Sequence, residues 1–155
     1  MQLVGLIALR IYAPEDTMSD RFVDTRSASF DRETYVRILI AIAKADRENG
    51  PREFEYVRKK AQKLGVDYDQ VLDSTEKGFD IKKQAVSRAT ALAVLRDAIT
   101  LASMDRNFSL PERERIYTFA AKIGISRRDL ERLEEWLGEY RDLRTKWNGL
   151  VAGAF

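Results

Sequence analysis

Apolar residues recur along most of this chain at helical spacing, and they do so in two similar stretches. "ETYVRILIAIAKA" (33–45) is apolar nearly all round, the pattern of a central, buried helix. "AVSRATALAVLRDAITLASM" (85–104) has the same character, with alanine at many positions for close packing. Each is followed by a more one-sided helix. Phe54, Val57, Ala61 and Leu64 make one stripe; Ile116, Phe119, Ala120 and Ile123 make the other. A last helix carries Leu130, Leu133, Trp136, Leu137, Tyr140, Leu143 and Trp147 on one face, where packing is the commonest use of such residues. No window shows the alternation of a half-buried strand.

The local punctuation agrees with this division. Gly65 and Gly124 stand where glycine ends a helix in the left-handed conformation. Asp67-x-x-Gln70 opens a short third helix, and Ser126-x-x-Asp129 opens the last one. Asp80 is the expected cap of the long fourth helix. Shifting the sequence by 59 positions superposes it on itself without a gap. Ile40 falls on Ile99, Asp46 on Asp105, Glu53 on Glu112, Ala61 on Ala120 and Gly65 on Gly124. The expected fold is an all-α bundle of six or seven helices, built from two helix-loop-helix repeats related by a pseudo-twofold. Its expected organisation is an extension or linker over 1–30, a helical domain over 31–148 and a tail over 149–155.

Composition removes several functions. With 155 residues the chain suits one domain, and a net charge of +2 is too small and too dispersed to predict nucleic-acid binding. Basic residues gather at Arg58–Lys63, Lys82–Lys83 and Arg127–Arg128, but acids interleave them, as on a solvated helix face. There is no Cys and no His, so disulfides, thiolate metal sites and the usual acid–base residue are all missing. Ser74, Thr75, Ser87 and Ser103 have no histidine base, no glycine-rich phosphate loop is present, and the chain is not expected to be an enzyme. Any bound metal would take oxygen ligands, which means Ca²⁺ or Mg²⁺.

The paired loops are where such chemistry would sit. Asp46 and Asp105 each end a helix, facing its negative end, and Glu53 and Glu112 each follow seven residues later. Helix capping accounts for these acids. Ser109-Leu110-Pro111-Glu112 is a capping box, and Gly50-Pro51-Arg52-Glu53 is the same turn with glycine at the cap. A cation site accounts for them too, with Asp46, Glu53, Asp105 and Glu112 as ligands from both loops. It is not an EF-hand: from Asp105 as loop position 1, the glycine of position 6 is Leu110 and the acid of position 12 is Ile116.

These loops read "AKADRENGPRE" (43–53) and "ASMDRNFSLPE" (102–112). They resemble the repeated A-x-A-D-G-x-x-S-x-x-E signature of the TerB-like, tellurite-resistance family, which is related to the N-terminal part of DjlA-type co-chaperones. The resemblance covers roughly Asp31 to Leu143. It implies an all-helical bacterial domain, cytoplasmic or at the inner face of the membrane, linked to stress and tellurite resistance. It also implies a metal-binding role for Asp46, Glu53, Asp105 and Glu112. The chain departs from the signature at Arg47 and Arg106, which replace its glycine, and at Gly50, which replaces the first serine. An arginine beside each Asp favours the ionised acid and equally supplies an ion-pair partner. The expected function is a module that binds a partner protein, with a weak divalent cation at the loops. The alternative is a membrane-associated scaffold or co-chaperone-like domain whose acids are purely structural.

The chain ends extend the partner list. Leu3 to Ala13 is mostly apolar but includes Arg10 and is far shorter than the ~20 residues of a membrane span. It lacks the basic start of a signal peptide. A packed extra segment, an interfacial anchor on a peripheral membrane surface, or an upstream extension before Met18 are the readings it allows. The apolar tail "WNGLVAGAF" folds back or makes a homodimer contact.

Overall fold

The computed structural model describes residues 29–45, 51–75, 86–103 and 110–153. Among them are six helices and no strand: α1 (Arg32–Ala45), α2 (Pro51–Leu64), α3 (Tyr68–Ser74), α4 (Arg88–Ser103), α5 (Leu110–Lys122) and α6 (Arg127–Val151). The all-α bundle expected from the periodicity is the architecture observed.

The two apolar helices lie at its centre. Tyr35, Val36, Ile38, Leu39, Ile40 and Ala43 of α1 are buried, as are Ala91, Ala93, Val94, Leu95, Ala98 and Ile99 of α4. α1 and α4 pack on each other. α1 also packs on α2 and α3, while α4 packs on α5 and α6. Alanines on α4 let the two axes approach, and the larger side chains of α1 fill the space between them.

Local signals set the helix ends. The Asp67 carboxylate accepts from the Gln70 N–H at 3.2 Å, and the Ser126 hydroxyl accepts from the Asp129 N–H at 3.1 Å. Both caps stand where the sequence puts them. The fourth helix differs from expectation. It begins at Arg88, and Ser87 caps it, accepting from the Thr90 N–H at 3.2 Å. Asp80 lies outside the described residues. Serine within one turn of the first apolar residue satisfies the free N–H groups directly, which a residue two turns upstream cannot do.

The 59-residue offset reappears in these ends. α2 starts at Pro51 and α5 at Leu110; α3 starts at Tyr68 and α6 at Arg127. α2 closes with Val66 N–H to Ala61 C=O at 2.9 Å and Gly65 N–H to Gln62 C=O at 3.2 Å. α5 closes with Ile125 N–H to Ala120 C=O at 2.8 Å and Gly124 N–H to Ala121 C=O at 3.2 Å. Each is a Schellman closure turning on a glycine in the left-handed region, φ 70° at Gly65 and 83° at Gly124. The Asp31 N–H donates to the Thr90 hydroxyl at 3.0 Å, joining the starts of α1 and α4. The offset fails at α1 and α4, whose starts at Arg32 and Arg88 stand 56 residues apart, and at α6, which continues for 25 residues where α3 stops after 7.

Candidate functional site

α2 turns an unexpected face inward. Val57 and Ala61 of the expected stripe are buried, but Leu64 is only half-buried. Glu53, Tyr56 and Lys60 are buried with Val57 and Ala61, each about 5 % exposed or less. These polar residues recur on successive turns, so they share the buried side of α2.

Tyr56 explains part of this. Its hydroxyl donates to Asp97 of α4 at 3.1 Å, and the Tyr35 hydroxyl of α1 donates to the other oxygen of the same carboxylate. The Arg96 guanidinium reaches both oxygens at 3.4 Å. Asp97 is fully buried and Arg96 nearly so. One carboxylate thus ties three helices together at the middle of the bundle. Burial and then the Asp97 charge push the Tyr35 phenol well above its usual range, so it stays a donor. Burial works against the charge on Arg96, but the Asp97 carboxylate, with the two phenols, more than offsets it and raises its pKa. With every group satisfied and enclosed, the cluster fixes the register of α1, α2 and α4 rather than meeting a substrate.

Lys60 places its ammonium 5.6 Å from the Tyr56 ring centroid, a cation–π contact inside the bundle. Lys44 and Arg37 of α1 attend to the end of α3. Lys44 Nζ donates to the carbonyls of Leu72 at 3.1 Å and Thr75 at 2.7 Å; Arg37 donates to the Ser74 hydroxyl at 3.0 Å. Cations there satisfy free carbonyls and oppose the negative end of the helix dipole.

Of the four acids expected to hold a cation, the structure places the side chain of Glu53 alone. Asp46 and Asp105 lie outside the described residues, and Glu112 is placed only as the third residue of α5. Glu53 is likewise the third residue of α2, after Pro51 as the first, which is the position the capping reading gives it. Its side chain is 5 % exposed, and Oε2 has no hydrogen-bond partner among the described residues. A buried carboxylate oxygen in that state calls for a partner beyond the described residues: the N-cap N–H of the capping reading, a cation, a proton or a water. No group of three or more metal-ligating side chains occurs among the described residues, a set that holds one of the four expected ligands.

The buried Tyr35–Tyr56–Asp97 cluster was not anticipated from sequence. The available signal was an Arg-Asp pair inside the apolar run of α4, where two charged side chains need buried partners. On α6 the expected single packed face divides. Leu130 and Leu137 are buried, and Leu133, Trp136 and Tyr140 are partly so, but Leu143 and Trp147 stand 65 % and 53 % exposed. Beyond Tyr140 no described residue of α6 is fully buried, although Arg144, Asn148, Gly149 and Val151 are partly covered; the helix is about 37 Å long against ~24 Å for α4. It also continues to Val151, past the expected end of the helical domain at residue 148.

The chain matches no family model, no curated protein and no solved structure.

Proposed function

We propose that this chain is a TerB-like helical module without enzymatic activity, associated with stress and tellurite resistance. In this reading it binds a partner protein and holds a weakly bound Ca²⁺ or Mg²⁺ at two acidic loops. The ligands are Asp46 and Glu53 from one loop, and Asp105 and Glu112 from its repeat. The bundle is taken as two copies of one hairpin unit related by a pseudo-twofold, which would bring the loops into equivalent settings.

The observation that carries the cation reading is Glu53, buried with one carboxylate oxygen unpartnered among the described residues. An oxygen-only ligand set suits a hard cation. Support for the two-unit bundle comes from the equivalent helix starts at Pro51 and Leu110 and from the matching glycine closures of α2 and α5. Support for a protein-binding role comes from the large apolar side chains left exposed on α6.

Calorimetric titration of the full chain with Ca²⁺ and Mg²⁺ tests the reading. Saturable heat in the wild type, lost in Glu53→Gln and in Asp46→Asn/Asp105→Asn, is the expected result. Absence of binding in the wild type, together with variants that only melt earlier, would make the four acids helix caps and refute the site.

A further inference from the structure

We propose that the C-terminal half of α6 pairs in parallel with α6 of a second copy of this chain, as a short two-stranded coiled coil. The proposal rests on reading the chain as an interaction module and is independent of the cation site.

Six apolar residues along one edge of α6 follow a regular repeat. Leu133, Trp136, Tyr140, Leu143, Trp147 and Leu150 are separated by alternating steps of three and four residues. That is the 3.5-residue spacing of a coiled-coil seam. Its first half is used within the chain, where Leu133, Trp136 and Tyr140 pack on the core. Its second half is open: Leu143 is 65 %, Trp147 53 % and Leu150 62 % exposed. The seam therefore begins as intramolecular packing and continues as an exposed apolar edge.

Charge complementarity supports a second copy as the occupant. In a parallel pair, the residue before one core position faces a residue five places on in the partner helix. Glu139 precedes Tyr140, and five residues on is Arg144, on the opposite flank of the seam. Two copies in parallel thus set Glu139 of each against Arg144 of the other. Neither residue has an ion-pair partner among the described residues. The exposed side chains offer roughly 350 Å² of apolar surface per copy, so the joint interface stays under the ~1,200 Å² of a standard stable complex. The dimer is accordingly weak and concentration-dependent, with a Kd on the order of 10–100 μM.

Sedimentation velocity of the full chain, from about 5 to 500 μM, tests this. The wild type should shift from monomer to dimer across the range. Trp147→Glu should remain monomeric with an unchanged helical CD spectrum, since the side chain is largely in solvent. Glu139→Arg and Arg144→Glu should each weaken the dimer about three- to tenfold, and the double exchange should restore it. In this cysteine-free chain, Leu150→Cys should form a disulfide with its own copy under mild oxidation, as the parallel register requires. A wild type that stays monomeric at every concentration, including through cover of the seam by residues 1–28, would overturn the proposal. So would a dimer indifferent to Trp147→Glu, or a double exchange that restores nothing. A wild-type monomer that still gives a saturable cation titration would overturn the pairing and leave the module reading standing.

Discussion

Replacing Asp97 by Asn should be among the costliest single changes in this protein. The carboxylate is fully buried and accepts from Tyr35, Tyr56 and Arg96. Asparagine keeps the shape but turns one acceptor into a donor, which then faces hydroxyls and a guanidinium that also donate. The one phenol that loses its acceptor costs about 1 kcal/mol. The larger loss is at Arg96, whose charge would remain buried without its counter-charge, a defect of about 3–5 kcal/mol. A total of about 4–6 kcal/mol is a large share of the roughly 8–20 kcal/mol expected for a chain of this length. Urea unfolding at pH 7, followed by CD, reads the change as a lower midpoint at constant slope. Arg96→Met/Asp97→Leu removes both charges together and should recover about half of the loss, because no charge is then left buried alone while the Tyr35 and Tyr56 hydroxyls stay without an acceptor. A shift below about 1 kcal/mol in Asp97→Asn would refute the argument that this carboxylate holds the three helices in register.

Two further predictions follow from single groups. The raised pKa of Tyr35 means that the unfolded chain releases this proton first as pH rises past the ordinary value near 10. Its contribution to stability is therefore complete below that pH and declines above it. Tyr35→Phe should cost about 1–2 kcal/mol at neutral pH and flatten part of the alkaline decline, seen as a smaller drop in melting temperature between about pH 9 and 11. Gly124→Ala should destabilise by about 1–2 kcal/mol through its φ of 83°, whereas Gly138→Ala, inside α6, should stabilise by about 0.5–1 kcal/mol. A methyl group added at either position meets nothing within 4 Å, so thermal unfolding of the pair separates backbone strain from packing.

The legible parts of the fold were those with a local cause. Gly65 and Gly124, Asp67 and Ser126, and the apolar runs of α1 and α4 each act within a turn or two of themselves, and the structure uses them as their sequence setting suggests. The illegible parts needed the third dimension. Glu53, Tyr56 and Lys60 look like the polar side of an amphipathic helix until Asp97, 41 positions from Tyr56, is known to face it. Leu143 and Trp147 look like core because periodicity gives the direction of a side chain and not the distance at which its neighbours end. The candidate cation site was legible as a repeated pattern of acids, and its capping geometry was legible for the same reason. Both readings place Glu53 and Glu112 in the first turn of a helix, so helix position alone does not separate them.

Residue-resolved NMR of the full chain during Ca²⁺ and Mg²⁺ titration separates them. A shared cation site predicts saturable shifts with one common affinity in the signals of Asp46, Glu53, Asp105 and Glu112, all abolished by Glu53→Gln. Shifts absent from these residues, or unsaturating and spread over the exposed acids of α6, would contradict the proposed function and leave the loops as caps.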